Sequence, residues 1–224
     1  MMNWLVLNGI ILIFAYVLGA TPSGYWIGSW FYGIDIREQG SGSTGATNVL
    51  RTLGKWPGLA VLIIDILKGV SAIALVRYIY SLSLAQELTI AAGITDIFMV
   101  KEWMVTLAGL MAVVGHTKSF WIGFKGGKSV ASGLGILLAM SWVVGLGTLT
   151  VFIIVLASSR IVSLSSICGA IAVSGLMLLS HQPLPYAIFA IAAGIYVIWR
   201  HRTNIERLLA GKEPRIGQKL STES

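Results

Sequence analysis

Little of this sequence is charged. Asp, Glu, Lys and Arg make up 11% of its 224 residues, against about a quarter in a soluble globular domain. That excludes an ordinary water-soluble fold. Acidic side chains are the scarcer sign, 9 against 16 basic ones. No cluster of aspartates stands ready for a divalent cation. Cysteine is nearly absent. The single Cys168 lies in an apolar stretch, which rules out a disulfide framework and leaves a small buried hydrophobe. A cleavable signal is missing too. The apolar stretch over residues 4–27 has no basic residue before it and is long enough to stay as a span. The net charge of +7 is no argument for nucleic acid, because the basic residues flank apolar runs. It fits the positive-inside bias of membrane proteins and an anionic substrate equally well.

What fills the sequence is hydrocarbon. Hydrophobic residues make up 56%, and several runs reach the roughly 20 residues that cross a bilayer. Seven spans are predicted, over residues 4–26, 57–80, 103–115, 130–141, 143–158, 163–180 and 185–198. Residues 129–159 form one uncharged run, too long for a single span. Ser141-Trp142 is the expected turn, since Trp favours the interface. Many of the 26 glycines fall inside apolar runs, as close helix packing in membranes requires. The expected fold is therefore an all-α polytopic membrane protein with about seven transmembrane helices. It forms one domain over residues 1–224, with 199–224 as a basic C-terminal segment.

Seven spans put the termini on opposite sides. Thirteen of the 16 cations, Lys219 among them, then fall on one side. Arg77 and Lys101 fall on the other, and Lys68 lies within the second span. The positive-inside rule makes the richer side cytoplasmic, with the N-terminus outside and the C-terminus cytoplasmic. Asp65 and Lys68 sit three apart in the second span and share a helix face. They read either as a neutralised structural pair or as a brace for the neighbouring loop.

Three stretches on the basic side carry chemistry. The first is Gly40-Ser41-Gly42-Ser43-Thr44-Gly45-Ala46-Thr47-Asn48, followed by Arg51. Glycines let the backbone turn and present amides to an anion, hydroxyls add donors, and Arg51 offers a fork that matches phosphate. A flexible linker has the same composition. The second contains Gly115-His116 and, further on, Phe124-Lys125-Gly126-Gly127-Lys128-Ser129. Its Gly-Lys-Ser ending imitates a nucleotide-binding loop, but Ile122 stands where that motif needs glycine, and the strand context is missing. Paired glycines and two lysines before a helix start still suit an anion; lysines that merely obey the positive-inside rule are the alternative. The third is Arg200-His201-Arg202-Thr203-Asn204-Ile205-Glu206-Arg207-Leu208. It is expected to continue the last span as a basic helix, with His201, Asn204 and Arg207 roughly on one face. It reads as a headgroup anchor or as part of a site.

Taken in series, these three stretches resemble the motifs of the bacterial acyl-phosphate:glycerol-3-phosphate acyltransferases, the PlsY family. The resemblance covers nearly the whole chain. It implies transfer of a fatty acyl group from acyl phosphate to the 1-hydroxyl of glycerol 3-phosphate, giving lysophosphatidic acid and inorganic phosphate, the first acylation of phospholipid synthesis. It implies no metal, nucleotide or coenzyme. The partners would be the two substrates and membrane lipid, and the enzyme would work as a monomer in the bacterial inner membrane, with its active site on the cytoplasmic face. Residue by residue, Ser41 and Arg51 match positions that hold a substrate phosphate, with Gly42, Gly45 and Thr47 beside them. Lys128, with Lys125, Gly126 and Gly127, would form the second phosphate contact. Ser163 looks like the family's serine that touches the polar substrate. His201 and Asn204 match the third motif, Asn204 as the donor to the developing oxyanion. The catalytic set implied is thus Ser41, Lys128, His201 and Asn204. The general base is either His201 or a substrate phosphate. Ser43 departs from the family, which usually has Asn there.

Overall fold

The computed structural model describes residues 1–217; Lys219 and the rest of 218–224 lie outside the described residues. Every regular element among those described is helical. All seven predicted apolar segments are helical at their centres. They are α1 (Met2–Ala20) with α2 (Ser23–Tyr32), α4 (Lys55–Ser81), α6 (Ile97–Thr117), α7 (Val130–Met140), α8 (Trp142–Ser159), α9 (Val162–Leu179) and α10 (Leu184–Arg200). The shorter helices are α3 (Ala46–Leu53), α5 (Ser83–Ala91) and α11 (Arg202–Leu209). Five helices are long and apolar enough to cross a membrane, and a sixth span results if the bent pair α10–α11 counts as one. α7 is apolar but only 11 residues long, about 16 Å, or half a bilayer.

Three boundaries differ from the sequence reading. Span 4–26 is broken at Thr21–Pro22, because proline brings no N–H and disfavours a helical residue before it. The third span, too short at 103–115 unless it begins before Lys101 or runs past His116, starts at Ile97 and carries Lys101 and Glu102 within it as a pair at 3.2 Å. The basic segment does not continue the last span. α11 turns 59° from α10 at His201, so His201 lies at a corner rather than on one helix face with Asn204. The turn expected at Ser141-Trp142 is there, with Ser141 extended between α7 and α8.

Small residues bring the helices together. A side chain at Gly19 would collide with the Ala112 carbonyl, one at Gly115 with Tyr16, one at Gly69 with Ser132, and one at Gly135 with Ile66. These contacts lock α1 on α6 and α4 on α7. The core between them holds Ile11, Ile73, Val76, Val105, Ile136 and Phe189. Leu5, Ile13, Phe14, Ile154 and Ile195 face outward and are exposed, as suits a lipid-facing surface.

The break at Thr21 frees a carbonyl that has no helical partner. Lys68 Nζ donates to it at 2.9 Å and pairs with Asp65 at 2.9 Å. Ser23 Oγ, on the far side of the break, donates to Asp65 at 2.6 Å. The pair is therefore a brace, and it satisfies polar groups that a membrane interior could not. His116 stands 4.0 Å from the same carboxylate, its Nδ1 3.1 Å from Ser132 Oγ.

Candidate functional site

The first glycine-rich loop is held by one side chain. Asn48, almost fully buried, accepts from the Ser41 amide at 2.9 Å. Its amide nitrogen lies within 3.0 Å of the carbonyls of Ile36, Gln39 and Ser43. Gly40 sits against it at φ 56°, where any Cβ would meet the Asn48 oxygen. The loop is thus a built turn and not a linker. It delivers Ser41, Gly45, Thr47 and Arg51 to one cavity. Ser43 lines the cavity too, and its hydroxyl accepts from the Gly45 amide at 3.3 Å. α3 starts at Ala46, directly behind the loop, so its first amides add to the positive end of the turn. Burial lowers the Arg51 guanidinium below its usual range, opposed by Glu213; a guanidinium stays charged regardless.

The second loop reaches the same cavity through Lys128. Arg200 Nη2 donates to the carbonyls of Gly126 and Gly127, at 3.2 and 3.0 Å. Gly127 lies on the His116 ring so closely that a Cβ would strike Nε2. The sequence reading grouped Lys125 and Gly126 with Lys128, and Gly42 with Ser41. The structure separates them. Gly42, Lys125 and Gly126 line a smaller neighbouring pocket of about 340 Å³ with Asp35, Arg37 and Glu38, and Gly127 lines neither. Lysines three apart share a face only on a helix, and residues 125–129 are not helical.

The third stretch closes the site. Lys128 Nζ donates to Asn204 Oδ1. Asn204 Nδ2 donates to Glu213 Oε1 at 2.6 Å, and Ser163 Oγ donates to the same oxygen at 2.7 Å. Arg207 Nε donates to Glu213 Oε2 at 2.7 Å. Burial pulls the Glu213 carboxyl upward, but the hydrogen bonds from Asn204, Ser163 and Arg207 outweigh it and hold it below the usual carboxylate range. Burial, reinforced by Arg207, pushes the Lys128 amine down to about 8. His201 Nδ1 faces the Val197 carbonyl at 2.8 Å, so the proton sits there and Nε2 is the free acceptor.

Ser41, Ser163, Lys128, His201 and Asn204 therefore meet, although four separate stretches carry them. Nothing in the sequence singles out Glu213 or Arg200 as a site residue. Glu213 is the acid after a left-handed Gly211 in a basic segment, a turn that folds it back onto Asn204. Arg200 reads as one more cation at a span end. Asp65 and His116 also border the cavity from the membrane side.

The cavity holds about 470 Å³. One end is cationic, where Arg51 and Lys128 outnumber Glu213. The rest is apolar and runs between α7, α8, α9 and α10 past Leu134, Leu149, Phe152 and Val173. Such a site, cationic at one end and lined by hydrocarbon over the rest, belongs to an integral membrane protein. Known proteins narrow that class. The family described as glycerol-3-phosphate acyltransferase matches residues 9–211. The glycerol-3-phosphate acyltransferase of Trichodesmium erythraeum is 79% identical over 223 residues, covering 100% of this chain and 98% of its own. That of Nostoc sp. is 61% identical over 221 residues, covering 99% and 97%. The crystal structure of PlsY, an integral membrane glycerol 3-phosphate acyltransferase, in its glycerol 3-phosphate form, superposes with a TM-score of 0.79 at 35% identity, covering 94% of this chain and 96% of that one. Its lysophosphatidic acid form gives 0.77. The chain belongs to the glycerol-3-phosphate acyltransferase family.

Proposed function

We propose that this acyltransferase takes its acyl group from acyl phosphate and places it on the 1-hydroxyl of glycerol 3-phosphate. The products are lysophosphatidic acid and inorganic phosphate. The observation that carries this reading is the cavity itself, with two separate cationic loops at one end and a hydrocarbon-sized run at the other. Donor and acceptor each bear a phosphate, and the donor bears the chain. PlsY forms with glycerol 3-phosphate and with lysophosphatidic acid support the acceptor and the product.

Ser41, Thr47 and Arg51 hold one phosphate, and Lys128 the other. Side-by-side binding supplies proximity worth several kcal/mol. The acceptor oxygen attacks the acyl carbon, the carbon–oxygen bond to phosphate breaks, and Lys128 neutralises the departing phosphate. Asn204 keeps one amide hydrogen beyond its bond to Glu213, and that hydrogen serves the developing oxyanion. The hydroxyl proton goes to His201 Nε2 or to a substrate phosphate. The active site faces the cytoplasm of a bacterial inner membrane, with seven spans, the N-terminus outside and a monomer as the working unit. The charge bias of the loops supports that orientation.

The test is purified protein with glycerol 3-phosphate and, in turn, acyl phosphate, acyl-CoA and acyl carrier protein. Phosphate release and monoacyl product are expected with acyl phosphate. Turnover with acyl-CoA but not acyl phosphate overturns the donor assignment. In the same assay, His201→Gln separates the two bases: a loss of about 100-fold assigns the proton to His201, and near-normal turnover assigns it to the substrate.

A further inference from the structure

The apolar part of the cavity has a floor. From the corner at His201 its lining runs along α10 through Val197, Gly194, Ala193 and Ala190 to Phe189. The next residue on that face, Tyr186, is 2% exposed and takes no part in the lining. Its hydroxyl is tied to Glu102 and Arg77. α9 repeats the pattern: its lining ends at Val173, and Met177, one turn on, is fully buried. Small residues leave room along the middle of α10, and Phe189 is the first large ring to block the way.

The distance to that ring is measurable along the helix. Phe189 and the corner at His201 are twelve residues apart, about 18 Å at 1.5 Å per residue. An extended hydrocarbon advances about 1.25 Å per carbon, from bonds of about 1.5 Å at tetrahedral angles. The run therefore takes about 14 carbons before it meets the ring. Behind the ring stands Gly109 of α6. A Cβ there would lie 3.0 Å from Phe189 Cε2, 3.1 Å from Ile136 Cγ2 and 3.3 Å from Met140 Cε. The ring is packed on its far side, and the cavity is the direction in which it can move.

We propose that Phe189, backed by Gly109, is the stop that sets the length of the acyl chain transferred. The inference rests on the acyl-donor reading above. A chain that is too long must displace the ring or hold its carbonyl short of Lys128. Each misfit methylene in an apolar pocket is worth about tenfold in specificity.

The experiment is a competition. Purified protein receives glycerol 3-phosphate and an equimolar mixture of saturated acyl phosphates, from about ten to about eighteen carbons. Product chain lengths are read by mass spectrometry. Phe189→Val opens the floor and is expected to raise the ratio of the longest to the native-length product at least about tenfold. Gly109→Ala pushes the ring into the cavity and is expected to shift the profile toward shorter chains. Opposite shifts are a result that general loosening of the fold does not produce. An unchanged profile in a turning-over Phe189→Val variant, or shifts of the same sign in both variants, overturns the proposal. If the Val variant fails to fold, Phe189→Leu carries the same expectation on a smaller scale, and an unchanged profile there is equally fatal. If the native protein uses no acyl phosphate of any length, the donor assignment fails instead. The same variants, run with a length series of the donor it does use, then decide the stop on its own.

Discussion

Asp65 and Lys128 each sit in a buried polar cluster, and the two clusters are built to opposite ends. Around Asp65 the charges are paired inside the protein: Lys68 takes the carboxylate and the Thr21 carbonyl, and Ser23 adds a third bond. Positive and negative charge balance there. Around Lys128 they do not. Arg51, Arg200 and Arg207 all act on its amine, and among the described residues Glu213 is the one acid that offsets them. A balanced cluster lowers the cost of a helix break in a membrane. An unbalanced one stores a demand for an anion. The same burial thus serves architecture in one place and, in the proposed mechanism, substrate binding in the other.

That contrast breaks most visibly at Lys128. Lys128→Met is expected to lower turnover about 10³-fold, the scale of losing a group that stabilises developing charge. It leaves thermal stability equal or improved, because a crowded buried cation is gone. Phosphate release and the unfolding temperature in detergent are the two measurements, and a large fall in unfolding temperature contradicts the contrast. Asp65→Ala runs the other way. It strands Lys68 in the membrane and is expected to cost about 3 kcal/mol of stability. The double variant with Lys68→Met should recover much of that loss, read as the unfolding temperature of all three proteins. If the double is no better than the single, the pair is not a closed unit.

The smallest effect sharpens the comparison by pH. With the free Lys128 amine at about 8, the group is charged below that pH and neutral above it. Its grip on phosphate therefore fails as pH rises. The KM for the phosphate substrates is expected to climb between pH 8 and pH 9 by up to about tenfold, one pH unit being a factor of ten in protonation. Lys128→Arg removes that limb, since a guanidinium does not titrate there. A pH-independent KM in the native protein means that another cation carries the phosphate.

Much of this was legible in residues alone. The helices from Lys55, Trp142, Val162 and Leu184 start within two residues of the sequence reading, because hydropathy and length decide them. Ser41, Arg51, Lys128, Ser163, His201 and Asn204 were named from chemistry and resemblance, and they converge. What the sequence hid was three-dimensional closure. Nothing local says that Glu213 folds back on Asn204, or that Arg200 turns from lipid to a pair of glycine carbonyls. The corner at His201 escaped as well, because the hydrophilic run beyond it keeps a helical pattern across the bend. Lys125 stands three residues from Lys128 in sequence yet lines the neighbouring pocket, because the segment between them is not helical.

Asn48 carries a consequence for binding thermodynamics. One buried amide ties four backbone groups of the first loop and the turn before it, ahead of any substrate. The conformational entropy of that loop is spent during folding, at roughly 1–2 kcal/mol for each residue fixed. In the proposed mechanism a phosphate landing there meets a cradle that is already rigid and loses affinity only to its own immobilisation and desolvation. The loop's residues work as one solid part, so its affinity belongs to the turn as a whole and cannot be divided among Ser41, Thr47 and Arg51.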